Sequence, residues 1–247
     1  MTQFVIINVA VFLLIHIIGL ICKIAGSDFS IISTLQLQPT FLSAVLQPWG
    51  LITYMFSHDS ILHILCNMLW LYWIGIICLE CYSRKQFAIL YLGGGLLGGL
   101  LYLAGCTFGH FPSAGLLGSS AAVLSIVTAT AFRVPNYQLN LLLIGKVKIK
   151  WLCAVCLALM LLTTGDANIG GQFAHLGGIL FGLAFFCSEK YGWFKRKRKA
   201  IVINLPQNRN NDTEAELDKL LIKVKQSGYN SLSGKEKRRL IELSKKL

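Results

Sequence analysis

Residues 61–81 read ILHILCNMLWLYWIGIICLEC, and the one side chain in this stretch charged at neutral pH, Glu80, stands at its far end. A helix of this length rises about 30 Å, the thickness of the hydrocarbon core of a bilayer. Such a segment folds in lipid. Near the end away from Glu80 it carries His63 and Asn67, four residues apart and therefore on one helix face. Ionisable and amide groups are costly in hydrocarbon, so this pair asks for a reason.

Further apolar segments lie on both sides: Phe4 to Lys23 before it, and Gln86 to Thr107, Gly118 to Val134, Ile149 to Thr164 and Phe173 to Tyr191 after it. With Ile61 to Cys81 they predict an all-α polytopic membrane protein of six spanning helices. The last three are short or carry polar residues, so neighbouring helices should shield them from lipid. The first segment has no basic region ahead of it and no small-residue cleavage site, and is expected to remain as a span instead of serving as a signal peptide. Composition agrees: 55% of the 247 residues are hydrophobic and 14% charged, too little polar surface for a water-soluble domain.

The net charge is +12, yet sixteen of the twenty-three Lys and Arg residues lie from Lys190 onward, so the excess belongs to the tail. Placed directly after an apolar segment, it reads as a cytoplasmic anchor on anionic lipid and not as a nucleic-acid surface. Arg84 and Lys85, then Arg133, Lys146, Lys148 and Lys150, then the run 195–199 fall on one alternating set of connections, and the other set holds only Lys23. Both ends of the six-span unit should therefore face the cytoplasm, as in a bacterial inner membrane. The outer connection from Ile24 to Ser60 carries Phe41, Leu42, Val45, Leu46, Trp49, Leu51 and Phe56 and should lie in the membrane interface. We expect a membrane domain over 1–199, a linker over 200–212, and a cytoplasmic helical hairpin over 213–247. Its first helix should run from Thr213 to about Gln226 and stop at Gly228, and its second should start at Ser233, with Glu236 completing a capping box.

Most of the eight Cys residues fall inside apolar segments and read as small buried side chains. Two pairs have C-x-x-C spacing, Cys78/Cys81 and Cys153/Cys156, but nothing forces them together and an apolar helix gives thiolates no stabilisation. No metal and no cofactor are expected.

Two more polar positions join His63 and Asn67. Ser120, in Gly118-Ser119-Ser120-Ala121, opens the fourth segment, where unpaired N–H groups and the helix dipole favour developing negative charge. It is either a nucleophile or a capping and packing residue. His175 is followed by Gly177, Gly178 and Gly182, and Ala174/Gly178/Gly182 would let another helix approach closely. If that helix is the fourth, the imidazole reaches Ser120 and can activate it; otherwise His175 is a structural histidine on a carbonyl. His63 and Asn67 suit the oxygen of a tetrahedral intermediate, or form an interhelical clasp, as His58 does on the second reading. No Asp or Glu inside the segments is placed to orient His175, so the chemistry reads as a Ser-His dyad.

These residues resemble the rhomboid family of intramembrane serine proteases. The family pattern H-x-x-x-N stands here as His63 to Asn67, G-x-S-G as Gly118-Ser119-Ser120-Ala121, and His with paired glycines as His175-Leu176-Gly177-Gly178; Gly75, Glu80 and the 93–99 glycine stretch add to it, over about residues 1–195. The resemblance implies that Ser120 attacks the scissile carbonyl, that His175 moves its proton, and that His63, Asn67 and the Ser120 N–H hold the oxyanion. The substrate would be a membrane-anchored protein cut in or near its spanning helix. Ala121 replaces the usual Gly, and Gly50 follows Trp49 where many members carry Arg. A tail hairpin of this kind is appended to some bacterial members. Two other classes compete: an inactive rhomboid-like protein that binds membrane clients, which would lack Ser or His at the dyad, and a transporter, which would place its polar residues at the midplane.

Overall fold

The computed structural model of the chain describes residues 1–109, 115–141, 145–162, 169–192 and 211–244. The elements in order are α1 (Thr2–Ile24), α2 (Ile31–Leu35), α3 (Phe41–Leu46), α4 (Gly50–Thr53), α5 (Ile61–Cys81), α6 (Arg84–Gly109), α7 (Ser120–Arg133), β1 (Gln138–Leu141), β2 (Gly145–Lys148), α8 (Ile149–Leu162), α9 (Ile169–Tyr191), α10 (Asn211–Ser227) and α11 (Gly234–Ser244). Residues 1–195 and 196–247 form two separate compact units. The run 195–199 and the expected linker up to residue 210 lie outside the described residues.

Among the described residues, α1, α5, α6 and α9 are long and apolar enough to cross a membrane, so the chain is an integral multi-pass membrane protein. The fourth expected span, α7, has 14 residues, and the fifth, α8, is described over Ile149–Leu162. For α7 that is about 21 Å of helix, short of the hydrocarbon thickness. α7 meets this by burying every residue from Ala121 to Thr130 in protein, including Ser125, Thr128 and Thr130. α9 is described from Ile169, a turn before the expected Phe173.

Glycine contacts set the spacing of α6, α7 and α9. A Cβ on Gly94 would lie 2.3 Å from Ser125 Cβ, and one on Gly178 would lie 2.1 Å from the Ala121 carbonyl oxygen. Helices reach this distance only when one face carries no side chain. The Ala174/Gly178/Gly182 stripe divides its work: Gly178 and Gly182 meet Ala121 and Ser125 of α7, while the Ala174 carbonyl faces Gly98 of α6.

α1 lies at the edge of this core and buries only Asn8 and Ile15. Asn8 Nδ2 donates to the Phe4 carbonyl at 2.8 Å and to Tyr91 Oη at 2.9 Å, and the Tyr91 hydroxyl donates to the Met55 carbonyl at 3.0 Å. This chain of bonds pairs Asn8 Nδ2 and the Tyr91 hydroxyl, which hydrocarbon would leave unpaired, while Asn8 Oδ1 has no hydrogen-bond partner among the described residues. The start of α6 is capped reciprocally, with the Ser83 N–H on Gln86 Oε1 at 2.9 Å and the Gln86 N–H on Ser83 Oγ at 3.3 Å.

The connection between α1 and α5 is folded, with α2, α3, α4 and a 3-10 turn at Tyr54–Phe56. Phe41, Leu42, Val45 and Leu46 project outward from it while Leu37, Tyr54 and Met55 are buried, an amphipathic layout suited to the interface. A two-stranded hairpin after α7 pairs Gln138 with Lys148 and Leu141 with Gly145, an addition to the expected all-helical fold that carries no core.

The second unit is a helical hairpin around Leu217, Leu220, Leu232 and Leu243. α10 ends before Gly228, whose φ of +78° reverses the chain. The Ser233 N–H donates to Glu236 Oε2 at 2.8 Å and the Glu236 N–H to Ser233 Oγ at 3.4 Å, which forms the capping box. Lys223 binds Glu236 at 2.8 Å and Arg239 binds Glu216 at 3.0 Å, tying the two helices.

Candidate active site

The segment that delivers Ser120 is held on three sides before α7 starts. Leu116 exchanges both backbone hydrogen bonds with Leu37, at 2.9 and 3.0 Å. The Gly118 N–H donates to the Tyr54 carbonyl at 3.0 Å, and the Tyr54 hydroxyl donates to the Gly95 carbonyl at 2.6 Å. The Ser119 N–H donates to His58 Nε2 at 3.4 Å, with Ser119 Oγ at 3.3 Å from the same nitrogen. Accepting at Nε2 puts the proton of neutral His58 on Nδ1. His58 is fully buried, and that burial, helped by nearby His63, pushes its imidazole down to about 4.

Gly118 takes a φ of +103°, which a side chain rarely tolerates. A Cβ there would also lie 2.5 Å from His63 Nε2. His63 therefore lies directly on the backbone that leads into Ser120. Its other nitrogen, Nδ1, is 2.8 Å from Asp59 Oδ1. Asn67, one turn along, is buried; its Nδ2 donates to the His63 carbonyl at 3.0 Å, and its Oδ1 has no partner among the described residues.

Ser120 is the first residue of α7, where the N–H has no partner within the helix. Its Oγ is 2.8 Å from His175 Nε2, a hydrogen bond between α7 and α9 that joins residues fifty-five positions apart. His175 Nδ1 is buried and has no hydrogen-bond partner among the described residues. The polar groups of the site thus come from α5, α7, α9 and the loop ahead of α5. An oxygen and an imidazole nitrogen at this distance can exchange a proton, and a helix N-terminus beside them can hold negative charge. Ser120, His175, His63 and Asn67 are legible in the sequence, whereas the clamp of His58 on Ser119 and the contact of Asp59 with His63 are not. The spacing of Asp59 and His63, four residues apart at a helix start, was the available signal.

The family profile of the Rhomboid domain matches residues 45–188, more than half of the chain. The chain belongs to the rhomboid family. Relatives include the mitochondrial presenilin-associated rhomboid-like protein A of Danio rerio, 30% identical over 60% of this chain and 39% of that protein. RHOMBOID-like protein 1 of Arabidopsis thaliana is 32% identical over 60% of this chain and 37% of its own length. Rhomboid-like protease 3 of Toxoplasma gondii is 28% identical over 57% and 51%. The matches thus span about two-fifths to half of these relatives. A second profile, for a family of unknown function (DUF6576), matches residues 207–246.

Both departures from the rhomboid pattern have local partners. The Ala121 methyl faces Gly98: a Cβ added to that glycine would be 2.6 Å from it, so α6 leaves the space that the extra carbon fills. At Gly50 a Cβ would lie 3.0 Å from the Gln36 carbonyl oxygen, so the chain at 36–37 packs where a longer residue would start. No group of three His, Cys, Asp or Glu suited to a metal occurs among the described residues. The side chain of Cys156 in the second C-x-x-C pair lies outside them.

Proposed function

We propose that this rhomboid protein is an intramembrane serine endopeptidase that hydrolyses peptide bonds in or near the spanning segments of membrane-anchored proteins. The observation that carries the reading is the 2.8 Å contact of Ser120 Oγ with His175 Nε2 at the amino end of α7. In this mechanism Nε2 accepts the Ser120 proton as Oγ attacks the scissile carbonyl. The Ser120 N–H, His63 and Asn67 donate to the resulting oxyanion, whose charge is worth most to preorganised donors in a site short of water. The imidazolium returns the proton to the leaving amine, and an acyl-Ser120 ester remains. Water, deprotonated by Nε2, then attacks the ester and releases the carboxylic acid and free Ser120.

The membrane unit, residues 1–199, carries this chemistry, and 213–247 is an accessory hairpin on the linker 200–212. In this reading the chain crosses the membrane six times, with α7 enclosed by its neighbours, its basic connections on the cytoplasmic side of a bacterial inner membrane and Ser120 toward the outer face. The test is cleavage of a panel of membrane-anchored reporters by the purified protein in lipid. The intact protein should cut at least one reporter and Ser120→Ala none. No cleavage by the intact protein, together with no labelling of Ser120 by a fluorophosphonate, would instead identify a client-binding rhomboid.

A further inference from the structure

We infer that Asp59 is a positioning residue for the oxyanion site, acting through His63; the inference rests on the protease reading above. Asp59 stands just before α5, two residues ahead of its first residue, Ile61. Its Oδ1 is 2.8 Å from His63 Nδ1, while the opposite edge of the same ring, at Nε2, abuts Gly118. The ring is thus held at one nitrogen by a carboxylate and turned with the other toward the segment that carries Ser120.

The donor chemistry makes the carboxylate matter. A carboxylate can only accept, so His63 Nδ1 carries a proton in this contact. A neutral ring in that tautomer has a bare Nε2, which cannot donate to an oxyanion. To donate, Nε2 must carry a second proton, and Asp59 supplies the counter-charge that such an imidazolium requires. Burial acts to raise the Asp59 carboxyl, but the His63 hydrogen bond and charge, with the hydrogen bonds of its own N–H and of Ser60, bring it below its ordinary value, so it is ionised near neutral pH. The neighbouring His58 cannot take this part, because its Nε2 is engaged with Ser119 and its ring meets His63 edge-on at 5.1 Å between centroids.

A merely structural ion pair here would have little effect, since the Asp59 side chain is 58% exposed and that of His63 33%. The proposal therefore predicts an effect on turnover and not on folding. The full-length protein in lipid should be labelled at Ser120 by a fluorophosphonate, whose phosphoryl oxygen needs the same donors and whose fluoride leaves as Oγ attacks. Asp59→Ala and Asp59→Asn should each slow this labelling and lower kcat by about 10-fold, with KM for a reporter within about 2-fold and melting unchanged. Asp59→Glu should recover most of the rate. In a His63→Ala background, Asp59→Ala should add less than about 2-fold, because both act through one ring. Labelling of Asp59→Ala at the unmodified rate, or an undiminished loss in the His63→Ala background, overturns the inference while the protease reading stands. Absence of labelling in the folded unmodified protein overturns both.

Discussion

α1 and α7 are both apolar helices of one membrane unit, and they meet different solvents. α1 leaves Leu13, Ile17 and Leu20 outward and buries two residues, whereas α7 buries all of Ala121 to Thr130. Lipid accepts any apolar shape, so apart from Asn8 and Ile15 the face of α1 is specified by hydrophobicity. α7 is held by protein on its sides, so it is specified by shape: a missing side chain on Gly94, Gly178 or Gly182 is what admits it. The same protein shell encloses three further hydroxyl residues, of which Thr130 donates to the Ile126 carbonyl within the helix while Ser125 Oγ and Thr128 Oγ1 have no hydrogen-bond partner among the described residues. Sequence variation should therefore cost little on α1 and much along the faces of α7.

The largest effect should come from removing the groups proposed to react, which α7 and α9 bring together. Ser120→Ala and His175→Ala should each abolish reporter cleavage, since one lacks the attacking oxygen and the other its proton acceptor; residual cleavage above background in Ser120→Ala would place the nucleophile elsewhere.

One substitution made in both regions sharpens the comparison. Gly178→Ala puts a methyl 2.1 Å from the Ala121 carbonyl oxygen, and Gly19→Ala on α1 meets nothing within 4 Å. The first must push α9 off α7, and a displacement near 1 Å at a reacting pair can cost about 100-fold in turnover. The second should leave cleavage and melting unchanged. Equal behaviour of the two variants would mean that the α7–α9 spacing does not limit the chemistry.

Asn67→Ala should lower kcat by roughly 10- to 1000-fold with substrate binding largely kept, because an oxyanion donor acts mainly in the transition state. Full activity in folded protein would make Asn67 a structural clasp, as its bond to the His63 carbonyl would suffice to explain.

A smaller effect is expected from acid. His58 is held neutral in the fold, down to about 4 against an ordinary 6.5, so the unfolded chain binds the extra proton between those values. Stability is complete above about pH 6.5 and is lost as pH falls toward 4. Melting temperature measured across that window should decline, and His58→Gln should flatten the decline; an unchanged slope would remove His58 from the account.

The smallest effect should follow deletion of everything after Lys199. Every residue of the proposed dyad and oxyanion site precedes it, and the hairpin has its own core of Leu217, Leu220, Leu232 and Leu243. Cleavage should persist, and complete loss in a folded truncation would show that the tail belongs to the working unit.

Hydrophobic length and the placement of Lys and Arg were enough to read a multi-pass membrane protein, because transfer into hydrocarbon sums over residues without reference to their partners. Local rules located the tail hairpin too: Ser233, Glu236 and Gly228 act within a few residues of themselves. The four polar residues could be named because each is out of place in an apolar segment. Tertiary structure alone decided what they touch. Whether Gly178 faced α7 or another helix, whether His58 gripped Ser119, and to what Leu37 was joined are relations between segments far apart in the chain, fixed by packing and not by any local pattern. The extent of α7 belongs there as well, since a helix of 14 residues stays within a bilayer only when packed neighbours keep lipid from its sides.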